Sequence, residues 1–134
     1  MRKLTLLLTT LVFSLTMMFA STSYAEWTEV SEGVDGDTYY VDFERIRKHG
    51  GYVYFWYLID YLKPTKYGTL SDKIYSQGDC KLFRFKGLSD SYHTQPMGEG
   101  TPSITGNSPD KDWKYPPPTS SVERILKKVC EYAN

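Results

Sequence analysis

Histidine, cysteine and net charge are all scarce in this sequence, and each scarcity removes a class of function. The only two histidines, His49 and His93, lie far apart and show no ligand spacing, so a histidine-built metal centre is not expected. No nucleophile elbow, phosphate-cradling glycine loop or heptad run occurs. Asp42 and Glu44 read as a helix cap and a solvated carboxylate rather than an acid–base pair, and His93 reads as a surface strand residue rather than a general base. No catalytic residue, metal or cofactor is therefore expected, and the chain reads as a non-enzyme. Sixteen basic residues balance sixteen acidic ones, which leaves no field to steer nucleic acid or hold anionic lipid.

Long apolar runs are also lacking, with one exception. Leu4 to Phe19 follows the basic pair Arg2 and Lys3 and precedes the small-residue stretch Ala20 to Ala25. At about 16 residues it falls short of the roughly 20 that span a bilayer, and with Ser23 and Ala25 at the positions a signal peptidase must accept it reads as a cleavable signal peptide, residues 1–25, for the Sec route. The mature protein is then one domain, residues 26–134, starting at Glu26. No cysteine stands at the new amino end after the apolar run, so a lipid-anchored mature form is not expected, and the periplasm or the extracellular space is the expected location. Val53 to Ile59 is strand-sized and bounded by Gly51 and Asp60.

Only two cysteines occur, Cys80 and Cys130, both in the mature part. In an oxidising compartment they are expected to form a disulfide. In the chain-entropy model, closing a loop of about 50 residues stabilises the fold by roughly 4 kcal/mol.

What the sequence has in abundance is aromatic residues, 16% of the chain and 12 of them tyrosine, arranged in short bursts between turn residues. That pattern predicts an antiparallel sheet. Strands are expected at Trp27 to Val30, Thr38 to Val41 and Tyr52 to Tyr61, with a single helical turn from Phe43 to Arg47 capped by Asp42 and a reversal at His49-Gly50-Gly51. Tyr52 to Tyr61 is apolar on both faces and reads as the central strand. Further strands are expected at Ser71 to Gln77, Asp79 to Lys86 and Asp90 to Thr94, with Gly78 bending the chain between the first two and Cys80 sharing a face with Leu82.

Gly98 to Pro118 reads as a long loop ending in a polyproline triplet. Its two large apolar groups, Trp113 and Tyr115, are the candidate ligand-binding residues, because rigid aromatic anchors favour binding hot spots. The last segment reads as a helix: Ser120 and Glu123 fit a capping box, and Val122, Ile125, Leu126, Val129 and Cys130 recur on one stripe. The fold class is thus α+β, an antiparallel sheet of about five to six strands with a C-terminal helix on one face, stapled by one disulfide.

The ordered set of Trp27, Tyr39-Tyr40-Val41-Asp42 with Ile46, Leu58-Ile59-Asp60-Tyr61, Ser71 to Tyr75 leading into Asp79-Cys80, Tyr92, Met97 to Gly100, Trp113 and Val129-Cys130 resembles the surface-adhesin protein E family of Gram-negative bacteria. The resemblance spans essentially the whole mature chain. It implies a curved sheet with the helix on its concave side, tied by the disulfide, and a non-enzymatic module that binds a protein partner, either a host matrix protein or a protein of the envelope. A homodimer is a further open option, and a periplasmic structural or assembly factor without a host ligand is the alternative reading. Founding members of the family are lipid-anchored, a feature without a counterpart cysteine here.

Overall fold

The computed structural model describes residues 25–134; apart from Ala25, the expected signal peptide lies outside the described residues. Seven strands form one antiparallel sheet: β1 (Thr28–Glu32), β2 (Thr38–Val41), β3 (Arg47–His49), β4 (Tyr52–Asp60), β5 (Ser71–Asp79), β6 (Arg84–His93) and β7 (Ile104–Gly106). They run in the order β1-β2-β4-β5-β6-β7, with β3 pairing the start of β4. One helix, α1 (Ser121–Ala133), follows. Bulges at Val30 in β1 and at Leu88 in β6, the latter opposite Tyr75 and Ser76 of β5, interrupt the register, and such insertions bend and twist a strand.

The pleat of β4 sorts the sheet into two faces. Val53, Phe55 and Tyr57 are buried on the side that carries α1, where they meet Ile125, Leu126 and Val129 of the helix and Val41 of β2. Helix α1 lies over β1, β2 and β4 and is tied to β1 by the Ser31 and Ser121 hydroxyls at 3.0 Å and by Arg124, which donates to Ser31 Oγ at 3.0 Å. Gly78 sits inside β5 because a Cβ there would come within 2.9 Å of Val53 and 3.0 Å of Leu126. It is a point of close helix–sheet approach and not the bend expected from the sequence.

The helix begins where expected, with Ser120 Oγ accepting the Glu123 N–H at 3.1 Å. The return contact is shifted by one residue: the Glu123 carboxylate takes the Thr119 N–H, while the Ser120 N–H goes to Pro117 O. Cys80 and Cys130 are bonded, which joins the β5–β6 turn to the end of α1.

Other expectations need correction. Asp79 to Lys86 is not a strand. Residues 80–83 make the hairpin turn between β5 and β6, because the Asp79 carboxylate accepts the N–H groups of Lys81 and Leu82, both at 3.2 Å, and Phe83 adopts φ 51°. Cys80 and Phe83 then pack toward the core while Leu82 is 52% exposed, so Cys80 and Leu82 do not share a face. The chain beyond runs unbroken as β6 through Gly87 to His93. His93 is fully buried: its Nε2 accepts from Ser91 Oγ at 3.0 Å and its Nδ1 donates to Glu99 O at 3.1 Å, a structural tie for the short helical turn Pro96–Gly98. Asp42 makes no side-chain cap to the turn Phe43–Arg45; its carboxylate lies 3.3 Å from Arg45 Nε. Finally, the stretch from Gly98 to Pro118 is not all loop, since it supplies β7 and a bridge between Lys114 and Phe85.

Candidate functional site

On the face away from α1, the alternate residues of β4 are aromatic. Leu58 is buried, because the Pro96–Gly98 turn folds across it with a Gly98 backbone position only 3.2 Å from Leu58 Cδ1 for any added Cβ. Tyr52, Tyr54 and Trp56 are only half-buried. Registry between β4 and β5 sets Trp56 opposite Tyr75 and Tyr54 opposite Gln77. The Trp56 and Tyr75 rings lie 4.8 Å apart, Tyr54 and Tyr75 stack at 6.3 Å, and Gln77 Nε2 donates to the Tyr54 hydroxyl at 3.3 Å. Such pairs hold rings in place while leaving their outer surfaces wet.

Trp113 extends this row. The bridge between Lys114 and Phe85 fixes the segment beside β6, and the neighbouring side chain therefore falls on the open face, like Arg84 and Lys86. The indole lies 5.4 Å from the Tyr52 ring, with the Arg84 guanidinium 4.4 Å and the Lys86 ammonium 4.8 Å from its centroid. Cations against an indole face are attracted by its quadrupole. Tyr115, two residues on, is 65% exposed, and its phenol approaches the same Arg84.

Arg84 is the hub of this end of the face. Its Nε donates to Asp79 Oδ2 at 2.9 Å, and that hydrogen bond holds the guanidinium above its ordinary basicity, with Tyr115 adding to the effect. Burial alone would raise the Asp79 carboxyl; Arg84 and the Leu82 and Lys81 N–H groups outweigh it and hold the group below the usual carboxylate range. Arg47 and His49 of β3 stand exposed on the same face, opposite Tyr54 and Tyr52. The two residues singled out in the sequence, Trp113 and Tyr115, thus come together at Arg84. The rest of the surface, an aromatic row edged by cations, was missed because its members read as core of a central strand. Alternation with Val53, Phe55 and Tyr57 was the available signal.

Chemically this surface can stack, hydrogen-bond through phenols and attract anions, which suits recognition of a polypeptide. Among the described residues no group of three or more acidic, histidine or cysteine side chains converges as a metal site, and no helix is long and apolar enough to cross a membrane.

No curated protein sequence matches the chain. Solved structures of Haemophilus influenzae protein E share the fold. Its crystal form II superposes with a TM-score of 0.60 at 15% identity, covering 84% of this chain and 94% of that one. A second structure of the same protein gives 0.56 at 15% identity over 82% and 87%, and its selenomethionine form 0.59 at 14% over 82% and 89%. The family model described as surface-adhesin protein E matches residues 27–131, and the chain belongs to that family.

Proposed function

We propose that this protein is an exported, non-enzymatic binding module that holds a protein partner on the open face of its sheet, with Trp113 and Tyr115 at one end of the contact. The observation that carries the reading is the row of Trp56, Tyr75 and Tyr54, in ring contact with one another, continued along the same face by the Tyr52–Trp113 pair, all left half-exposed and bordered by Arg47, Arg84 and Lys86. Aromatic and arginine side chains dominate binding energies when a partner desolvates them. The basic border favours a partner segment with acidic groups, which such charges also steer. Membership of an adhesin family and the expected export point to a host matrix protein as that partner.

The test is binding of the immobilised protein to host matrix proteins by surface plasmon resonance. Lys86→Glu and Tyr54→Ser are expected to weaken capture about tenfold or more, whereas Lys127→Glu and Lys128→Glu, on the outer side of α1, leave it unchanged. Equal losses from both pairs, or none from the first, would refute the open face as the binding surface. Retention of envelope proteins alone, through the same residues, would turn the reading to an assembly factor.

A further inference from the structure

We propose that the groove beside α1, on the helix-bearing face of the sheet, is a site for an organic cation: a primary ammonium or guanidinium on an apolar stem, as in a lysine or arginine side chain of a partner polypeptide. The groove lies on the opposite side of the sheet from the aromatic row, so this inference stands or falls separately from the reading above.

Helix α1 covers β1, β2 and β4 and, at Gly78, one end of β5, but leaves the same face of β5 around Asp72 and Ile74 and of the neighbouring β6 uncovered by the helix. There a groove of about 360 Å³ remains, with Tyr57, Ile59, Ile74, Phe85 and Leu88 giving it apolar walls. Asp72 forms one end. It is only 6% exposed, and its Oδ1 has no hydrogen-bond partner. A buried, unpartnered carboxylate is costly, and its surroundings supply nothing to offset it. The titratable groups that face it are Asp90 and Tyr92 from β6, Tyr57 from β4 and Tyr61 just past β4. None is cationic. Lys114, the groove's one basic lining residue, is engaged by Asp110 at 3.0 Å, and Lys73, the neighbour of Asp72 along β5, points to the other face.

Two carboxylates, Asp72 and Asp90, the Tyr57 phenol and an apolar wall, with the one lining cation already paired to Asp110, make the complement of an alkyl ammonium or guanidinium. The charge meets Asp72 and Asp90, aromatic faces add attraction, and the stem lies along Ile74 and Phe85. Burial, and then the charge of Asp90, push Asp72 up to about 7. A cation that needs the ionised form therefore displaces a proton on binding.

The test is an NMR titration of the purified protein with Nα-acetyl-lysine methylamide, with the norleucine analogue as a control of equal stem and no charge. Saturable shifts at the Asp72 carboxyl carbon and Ile74 are expected with lysine and not with norleucine. Affinity is expected to rise about tenfold between about pH 6 and about pH 8 as Asp72 ionises. Asp72→Asn should abolish the response, and Asp90→Asn, which keeps the first carboxylate, should weaken it severalfold with the spectrum of the fold intact. Putrescine as a third arm tells a free amine from a peptide side chain, tighter binding of either one assigning the source while upholding the site. An equal response to norleucine, or a lysine response unchanged in both Asn variants, overturns the proposal, as does the absence of any saturable shift.

Discussion

Replacing Trp113 by Ala separates a ring held on the sheet from one merely hanging in a loop. The indole is half-buried, touching Tyr52, Arg84 and Lys86. If it keeps about 100 Å² of apolar surface from water, that burial contributes about 2.5 kcal/mol, an upper figure because an unfolded chain already hides some area. The ring pair adds about 0.5–1.5 kcal/mol and each cation contact at the surface about 0.5. Relaxation of an exposed segment recovers part of this, so a loss of about 3 kcal/mol is expected. Urea unfolding followed by circular dichroism measures it, with an unchanged slope showing that only stability moved. A cycle with Tyr52→Ala should show coupling of about 1 kcal/mol, since the two rings are in contact, and Tyr115→Ala, at an exposed position, should stay within about 0.5 kcal/mol of the parent. A Trp113→Ala loss below that same margin would refute the packed geometry and return Trp113 to the solvent.

Three further outcomes are expected. Cys130→Ser should cost about 2–4 kcal/mol, because the span between residues 80 and 130 is no longer closed in the unfolded chain, and thiol titration of the unreduced, denatured parent should find no free thiol. Asp72 binds its proton more tightly folded than unfolded, so the native state holds more protons between about pH 4 and about pH 7 and stability falls as pH rises through that window; above it the full penalty is about 2–4 kcal/mol. The penalty lies toward the lower figure because the groove is open to water, and Asp72→Asn should flatten the profile in thermal melts. Amino-terminal sequencing of the exported protein should begin at Glu26, and an intact Met1 in salt-washed membranes would contradict the expected cleavage.

Where local chemistry decides the structure, the sequence was readable. Ser120 and Glu123 announce the start of α1 because capping is settled within four residues, and the stripe through Val129 and Cys130 shows which side of the helix is buried. Tyr52 to Asp60 reads as a central strand because no other pattern places apolar groups on both faces. The turn at residues 80–83 was not legible: Gly78 is the obvious breaker nearby, whereas the actual turn depends on where the Asp79 carboxylate points and on a positive φ at Phe83. His93 continues a run of polar side chains with Ser89 and Ser91 and so reads as exposed; its burial comes from the Pro96–Gly98 turn and the Glu99 carbonyl folding back on it. Asp72 stands between Ser71 and Lys73 like any solvated strand residue. Its burial follows from pairing opposite Ile59, a contact no local window contains. Trp113 was found as an anchor, but the surface it belongs to exists only once β3, β4, β5 and β6 are assembled.

The tie between Ser31 and Ser121, residues 90 apart in sequence, bears on how the chain reaches its native state. The helix comes after every strand, so if the chain crosses a membrane in the amino-to-carboxyl direction, as the expected signal peptide implies, the sheet emerges with Val53, Phe55 and Tyr57 uncovered. Contacts of such long separation are entropically late and slow to form, and an uncovered apolar sheet is the species most prone to pair with another chain. Oxidation of Cys80 with Cys130 is then a kinetic latch as much as a thermodynamic staple: once made, it returns α1 to the sheet after each local opening. Refolding from the oxidised unfolded state should accordingly outpace refolding from the reduced one, and aggregation during export should concentrate in the interval before the latch closes.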